Sequence, residues 1–492
     1  MASSTALEKS WPIAIIGAGV FGLSTALDLA RRGYTNVTVF DKQPYWNTKY
    51  DFDSGCDAAS ADTNKIIRAA YEDKVEYQNL ALEAIEQWEA WNKDLARGSD
   101  LPDGMTIKDR IYVNTGVYRL GDDSGALNAF EKASIENLAK AGKGNLQYLL
   151  DDPAKVERAR NDGYGHGIDP FRLASGGKHA GYLDMVGGFV YADKACRYAL
   201  HKARGLGVKF VLDDVAGRFR SFKEDANGRV TGIITDDGRT HPAAVVVVAC
   251  GAWTPSILPE IDGLCEATAG SIALIQIPPI PRLRQRFSPE NFPVWYYRIG
   301  GGEYGDVYGF PIDERGVMKI GYRGTKFTNP QRVDDTGREQ SVPITRWTKP
   351  SVNLLPHISI KAIRNFIDTY LPELRKNAID IAATRLCWYT DSFDNHFVID
   401  AVPNRPGVIV ATGGSGHAFK FLPVLGRFVA DRIEGKESDK IMEFWRWRRL
   451  KDGEKPVNVL GQGSRSPTAL VNVKMSKSED LRLWDMSYRA RL

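Results

Sequence analysis

"IAIIGAGVFGLSTALDLARRGYTNVTVFDK" (residues 13–42) places four apolar residues, Ile13 to Ile16, ahead of three glycines and a run with helical spacing at Leu23, Ala26, Leu27 and Ala30. That order reads as strand, tight turn and helix. The glycines have separate tasks. Gly17 permits the turn, Gly19 lets a pyrophosphate come up to the backbone, and Gly22 lets the helix pack closely on the strand. Free N–H groups at the helix start then face the phosphates. A second strand, Val37 to Phe40, ends in Asp41, where a carboxylate accepts hydrogen bonds from ribose hydroxyls and disfavours a 2′-phosphate. Together these features predict a dinucleotide site. An ordinary βαβ unit with a glycine-rich turn leaves Asp41 unexplained.

At 492 residues the chain has room for two or three domains. Its 65 basic and 61 acidic residues are mixed along the sequence, so the net charge of +4 gives no reason to expect nucleic acid as a partner. The locally basic FWRWRRLK at 444–451 reads as a solvated helix end. Cys56, Cys196, Cys250, Cys265 and Cys387 are odd in number and form no CxxC, which argues against a disulfide framework or a zinc site and for a reducing compartment. MASSTALEKSW at the amino end has no apolar core of a secretory signal. The apolar run AAVVVVACGAW at 243–253 is too short for a bilayer, so a buried strand and no membrane association are expected. The final ARL is a variant of the SKL-type peroxisomal address, with a cytoplasmic location as the alternative.

Further along, residues 74–96 carry helical spacing at Leu80, Leu82, Ile85 and Trp88, and this helix is expected to leave the nucleotide domain. A helix at 193–207 feeds the strand VKFVL, a hairpin turns at ANG, and the run at 243–253 returns to the nucleotide-binding sheet. Residues 259–380 change character: many prolines, short alternating strands such as VWYYRI and VMKIGYR, and a helix near 359–376. The expected fold is α/β, a Rossmann-type FAD-binding domain interleaved with a mostly antiparallel α+β substrate domain. The first comprises 10–75, 185–258 and 381–440, the second 76–184 and 259–380, and 441–492 forms a C-terminal extension. Such interleaving is the organisation of flavin-dependent oxidoreductases rather than of simple NAD dehydrogenases.

A set of motifs resembles the monomeric sarcosine oxidase and fructosyl amino acid oxidase family, within the D-amino-acid-oxidase-like group of FAD enzymes. They are GAGVFG at 17–22, TNKIIRAAY at 63–71, VMKIGYR at 317–323, and CWYTDSFDNHFVID at 387–400 with GGSGHAFKFLP at 413–423. The resemblance runs from about Ile13 to Gly435 and implies FAD, held at Gly17, Gly19, Gly22 and Asp41. Cys387 matches the cysteine that bonds covalently to the flavin ring through sulfur in this family. A lone cysteine on an apolar strand otherwise reads as a buried, inert thiol. Gly414 and Gly416 match backbone that approaches the isoalloxazine, and the following helix is expected to aim its positive end at the flavin edge that turns anionic on reduction. Lys420, one turn into that helix, matches the substrate-facing lysine.

Lys319 alternates with Met318 and Ile320, so it lies on the opposite face, and an inward ammonium is costly unless an anion or a reaction needs it. The resemblance gives it a role beside the flavin in oxygen activation; a solvated strand face is the competing reading. Arg68 matches the arginine that, with the Lys420 equivalent, binds the substrate carboxylate, a task suited to the guanidinium fork. Lys65 stands where sarcosine oxidases have arginine, agrees with fructosyl-type enzymes, and is a candidate base. Arg323 is a departure, because fructosyl amino acid oxidases have a glutamate there that contacts the sugar. The departure favours an N-alkyl amino acid with a free carboxylate: N-methyl, cyclic imino or saccharopine-like, including members that cyclise their product in alkaloid formation. Arg323 would then grip a second acidic group or face solvent, and Trp295, Tyr296 and Trp388 are available to stack on an aromatic substrate. The expected protein is a monomeric oxidase. Hydride leaves the carbon beside a neutral secondary amine, an imine forms, and O₂ becomes hydrogen peroxide. The alternatives are a fructosyl amino acid oxidase, a flavin dehydrogenase and a non-catalytic flavoprotein.

Overall fold

The computed structural model of the chain describes residues 8–121, 127–173, 181–298, 304–333, 337–436 and 438–483. The opening stretch forms strand Ile13–Ile16, helix Val20–Arg31 and strand Val37–Asp41. The two strands run parallel, Ile13 opposite Val37 and Ile16 opposite Phe40. They sit within a six-stranded sheet ordered Val398–Ala401, Val408–Thr412, Val245–Val248, Ile13–Ile16, Val37–Asp41, Lys209–Leu212. Val398–Ala401 at one edge is antiparallel to its neighbour. A parallel sheet is covered on both faces, which is why Ile13–Ile16 and Val245–Val248 are continuously apolar rather than alternating. The glycine turn is as tight as its sequence implies. Gly17 has φ +104°, and a Cβ on Gly22 would lie 1.8 Å from the Gly17 carbonyl oxygen.

A second sheet has eight strands in the order Ala383–Ser392, Cys265–Gln276, Val317–Phe327, Val307–Gly309, Val294–Tyr297, Val117–Leu120, Gly181–Asp184, Gln147–Leu149. All its pairings are antiparallel except Val294–Tyr297 with Val117–Leu120. Because side chains alternate along a strand and cross-strand partners share a face, the register sorts residues into two sets. Met318, Ile320, Trp295 and Trp388 are buried in one hydrophobic cluster with Ile363 and Phe366 of helix His357–Tyr370. On the other face one row runs Tyr182, Arg119, Tyr296, Tyr308, Gly321, Ile272, Arg385. Lys319, Arg323 and Cys387 lie two residues along from members of that row, and Tyr389 four along from Arg385, all on the same face.

Three local expectations are corrected. Helix Val75–Arg97 does not leave the nucleotide-binding core. Its Trp88, Trp91 and Leu95 pack in the same cluster as Ile15 and Leu27, because its broad aromatic stripe matches that core. Strand Ala383–Ser392 pairs with Cys265–Gln276 in the second sheet, and the chain rejoins the first sheet only at Val398. Lys420 lies in a short 3₁₀ turn, Phe419–Phe421, and the α-helix starts only at Gly426. Pro423 has no N–H to give to the Phe419 carbonyl, which delays the regular helix. The positive helix end expected next to Gly416 is therefore replaced there by turn backbone. Among the described residues no helix is long and apolar enough to cross a membrane.

Candidate active site

A cavity of about 510 Å³ lies between the two sheets, with Gly17, Gly19 and Asp41 in its wall as well as Lys319, Cys387 and Lys420. At the glycine end, Asp41 ties the turn to the second strand: Oδ2 accepts from Ala18 N at 2.7 Å and Oδ1 from Gln43 N at 2.8 Å. Burial pushes the Asp41 carboxyl up against the pull of those two N–H groups. Helix Val20–Arg31 begins with no cap from its own N-cap residue, Gly19, and no acidic residue in its first turn, and Val20 N donates to Ser60 Oγ at 3.1 Å. A glycine-rich turn, a helix start free of acidic side chains and a carboxylate at the next strand end fit a dinucleotide pyrophosphate and ribose.

At the other end two groups of cations lie at the cavity, with Lys65, Lys319, Arg68, Arg323 and Lys420 in its wall and Arg385 and Arg119 behind it. The first is gathered on one carboxylate. Asp62 Oδ2 accepts from Lys65 Nζ at 2.7 Å and Lys319 Nζ at 2.9 Å, and Arg385 approaches Oδ1 to 4.0 Å. Burial pushes Asp62 up, but Lys319, Lys65 and Arg385 outweigh it and hold the carboxyl far below its usual range. Lys319 is 1% exposed, which excludes the solvated-face reading. It also donates to the Asn64 carbonyl and lies 4.5 Å from the Phe310 ring centroid. Burial pulls its ammonium down to about 8 despite Asp62, with Lys65 repelling it. Lys65 itself is held up, because Asp62 outweighs its burial. Arg385 bonds the Ala61 carbonyl at 2.9 Å, stacks 3.8 Å over Phe52, and extends a nitrogen to 3.7 Å from Cys387 Sγ.

The second group has no carboxylate within hydrogen-bonding distance among the described residues. Arg68 donates to the Ala70 carbonyl and lies 4.8 Å from the Tyr71 ring centroid. Lys420 is 4.8 Å from the same centroid and donates to Tyr71 Oη at 2.6 Å. Tyr71 Oη meets His417 Nδ1 at 3.0 Å, and His417 Nε2 meets the Asn395 carbonyl at 3.0 Å. The carbonyl requires the proton on Nε2, so Nδ1 accepts from Tyr71, and the tyrosine oxygen is left to accept from Lys420. Burial, then Arg68, Arg323 and Arg119, push Lys420 well below an ordinary lysine. Arg323 does not point to solvent. Its guanidinium lies 5.5 Å from the Tyr389 ring centroid and near enough to Gly416 that a Cβ there would meet it at 2.5 Å. Arg119 is wholly buried behind Tyr296, 4.4 Å from its ring centroid, with no hydrogen bond to any guanidinium nitrogen.

Lys65, Arg68, Lys319, Arg323, Cys387, Gly414, Gly416 and Lys420 thus come together on one cavity, which also holds Gly17, Gly19 and Asp41; Gly22 acts behind it. Of the three aromatic residues expected to stack on a substrate, Tyr296 lines the cavity. Trp295 is stacked on Phe366 at 4.1 Å and Trp388 bonds the Ile344 carbonyl at 2.7 Å. Strand alternation separates them. Asp62, Tyr71, Arg119 and His417 were missed. Asp62 and Tyr71 stand at the edges of the TNKIIRAAY motif, and His417 lies inside GGSGHAFKFLP; only the fold brings Arg119 to the site.

A Rossmann-type nucleotide sheet facing a cation-lined cavity in an antiparallel sheet defines a flavin-type oxidoreductase. Residues 12–432 match the family described as FAD dependent oxidoreductase, and the chain belongs to it. It is 29% identical over 449 residues to L-saccharopine oxidase of Schizosaccharomyces pombe, covering 89% of this chain and 93% of that one. It is 26% identical over 432 residues to N-methyl-L-tryptophan oxidase of Escherichia coli, with 87% and 96% covered. Among solved structures it resembles a fructosyl peptide oxidase from E. terrenum, with TM-score 0.74, 26% identity, and 97% and 100% covered.

Proposed function

We propose that this FAD-dependent oxidoreductase oxidises the secondary amine of an N-alkylated amino acid with a free carboxylate. The observation that carries the reading is the convergence of Arg68 and Lys420 on Tyr71 with no acidic partner among the described residues. Two cations flanking one ring are a receptor for an anion, and pairing offsets much of their desolvation cost. The same charges raise the free energy of any bound ammonium, so the substrate amine loses its proton on binding. Its lone pair is then available to assist loss of hydride from the neighbouring carbon. FAD, when bound, supplies the acceptor for that hydride and passes both electrons to O₂, giving hydrogen peroxide. The substrate is left as an imine, which water hydrolyses or an internal nucleophile traps. Lys319 holds a positive charge where oxygen acquires negative charge. Lys65 shares Asp62 with it and so acts as a cation rather than as the base considered from sequence. Cys387 is the residue that would hold the flavin ring covalently.

L-saccharopine oxidase among the relatives and Arg323 in place of a glutamate support acidic N-alkyl amino acids over sugar amines. An anaerobic flavin-bleaching screen over N-methyl, N-carboxyalkyl, cyclic imino and fructosyl amino acids tests the reading, followed by a peroxide assay in air. Bleaching is expected to be much faster with free acids than with their esters. Bleaching by fructosyl compounds alone would replace this reading with the sugar-amine one, and turnover without peroxide would make the protein a dehydrogenase. The ARL terminus, at residues 490–492, lies outside the described residues. It supports a peroxisomal location, which a reporter fused at the amino end, leaving Leu492 free, would reveal as punctate signal; a diffuse signal would overturn it.

A further inference from the structure

Asp62 is a single carboxylate serving three cations, a balance that the chemistry proposed for Lys319 does not by itself require. Its Oδ2 is shared at 2.7 Å by Lys65 and 2.9 Å by Lys319, and the Asp62 side chain is 3% exposed. Lys319 has the more enclosed setting: its side chain is 2% exposed, against 21% for Lys65. The other charged or titratable groups around Lys319 are Arg385 and Cys387 on strand Ala383–Ser392 and Tyr308 on strand Val307–Gly309. Among the described residues none of these supplies another carboxylate. Phe310 closes the apolar side. Lys319 therefore depends on Asp62 for its fixed place and its counter-charge, while Lys65 draws on the same oxygen.

We propose that Asp62 is the positioning residue for Lys319, and that Asp62 and Lys65, acting in opposite senses, set the pH range in which the Lys319 ammonium persists beside the flavin. The inference rests on the reading of Lys319 as the oxygen-facing charge. The sign follows from the geometry. Losing Asp62 removes the attraction that keeps the proton on Lys319, so the amine becomes neutral at lower pH. Losing Lys65 removes a repelling charge and frees the shared oxygen, so the amine stays charged to higher pH. In the unaltered protein burial outweighs the pull of Asp62 and draws the ammonium down to about 8.

The test uses holoenzyme labelled with ¹³C at lysine Cε, with the Lys319 signal assigned by its loss in Lys319→Met and followed against pH. The rate at which the substrate-reduced protein is reoxidised by O₂ is measured over the same range. Asp62→Asn should move the Lys319 midpoint down by a unit or more, so that reoxidation at pH 7.5 falls by roughly threefold or more and recovers on acidification. Lys65→Met should move the midpoint up and extend fast reoxidation to higher pH. If Asp62→Asn fails to fold, the Lys65→Met shift decides alone. An unmoved Lys319 signal in the folded variants, or shifts of the same sign, would overturn the inference. Wild-type reoxidation in Lys319→Met at every pH would instead overturn the role given to Lys319, an outcome separate from the behaviour of its signal.

Discussion

The two cation groups on this cavity differ in what answers their charge. Lys65, Lys319 and Arg385 share Asp62, and their positions are fixed by contacts within the protein. Arg68, Arg119, Arg323 and Lys420 have hydroxyl, carbonyl and ring neighbours but no carboxylate at hydrogen-bonding distance among the described residues. A buried pair stabilises its own geometry, whereas a buried cation without an anion is held at a cost that an anionic ligand offsets on arrival. The first group is thus built to be charged with or without substrate. The second is built to become comfortable only when a carboxylate enters.

Removing a member of the second group should have the largest effect. Arg68→Ala should reduce kcat/KM for substrates with a free carboxylate by about 2 to 5 kcal/mol, the scale for breaking a desolvated charge pair. For the corresponding amides the same variant should change little, so comparing acid and amide isolates the clamp from general damage. Equal losses for both would place Arg68 in a structural role. Lys420 adds a pH dependence. Its ammonium is pushed well down by burial, Arg68, Arg323 and Arg119, and an incoming carboxylate pulls it back up. At Lys420 substrate binding should therefore take up a proton, against the one that the substrate amine releases. Calorimetry in two buffers of different ionisation enthalpy measures the net exchange, which Lys420→Met should shift toward release.

The first group should matter less to binding and more to oxygen. Lys319→Met keeps length and removes charge, so reoxidation should slow by about a hundredfold, or on the order of 3 kcal/mol, while anaerobic reduction by substrate changes far less. Matched slowing of both half-reactions would mean that Lys319 supports the fold. The neighbouring Cys387 offers a sharper, all-or-none contrast. Flavin fluorescence should travel with the denatured wild-type band and be absent from that of Cys387→Ser, whereas flavin freely extractable from wild type would defeat the covalent assignment.

The nucleotide end of the cavity was legible in the sequence because its determinants are local. Gly17, Gly19, Gly22 and Asp41 lie within one strand–turn–helix–strand unit whose spacing alone defines the geometry. At the reaction end, single residues were legible where alternation or a motif marked them. Lys319 was separated from Met318 and Ile320 by strand period, and Arg68 and Lys420 by resemblance. What bound them together was not. Asp62 gains its meaning from Lys319, far along the chain, and Arg119 reaches Tyr296 only through the parallel register of two strands distant in sequence. Trp295 and Trp388 failed as stacking candidates for the same reason in reverse, because composition says nothing about which face a residue takes. The helix expected at Lys420 was delayed by Pro423, whose effect was local and readable but outweighed by the glycine-turn-helix pattern.

A third arrangement completes the comparison, a buried carboxyl without a cation. Glu266 sits directly opposite Asp391 in the second sheet, but Asp391 is already bonded to Lys326 at 2.8 Å. Glu266 Oε2 is buried and has no hydrogen-bond partner, and burial, then Asp262 and Asp391, push its carboxyl up to about 8. The folded protein therefore keeps a proton on Glu266 that the unfolded chain releases above its ordinary range. Folding is favoured below pH 4.5, and that advantage declines as pH rises to about 8, by up to ~1.4 kcal/mol per pH unit before allowance for partial exposure. Glu266→Gln, which carries no charge at any pH, should melt with wild type at pH 5 and roughly 1 to 3 °C above it at pH 8. This is the smallest of the expected effects because solvent reaches part of the side chain and screens the repulsion. A gap between the two melting curves that stays constant from pH 5 to pH 8 would show that Glu266 is not protonated in the folded protein, and that an unpaired carboxyl here costs no more than an exposed one.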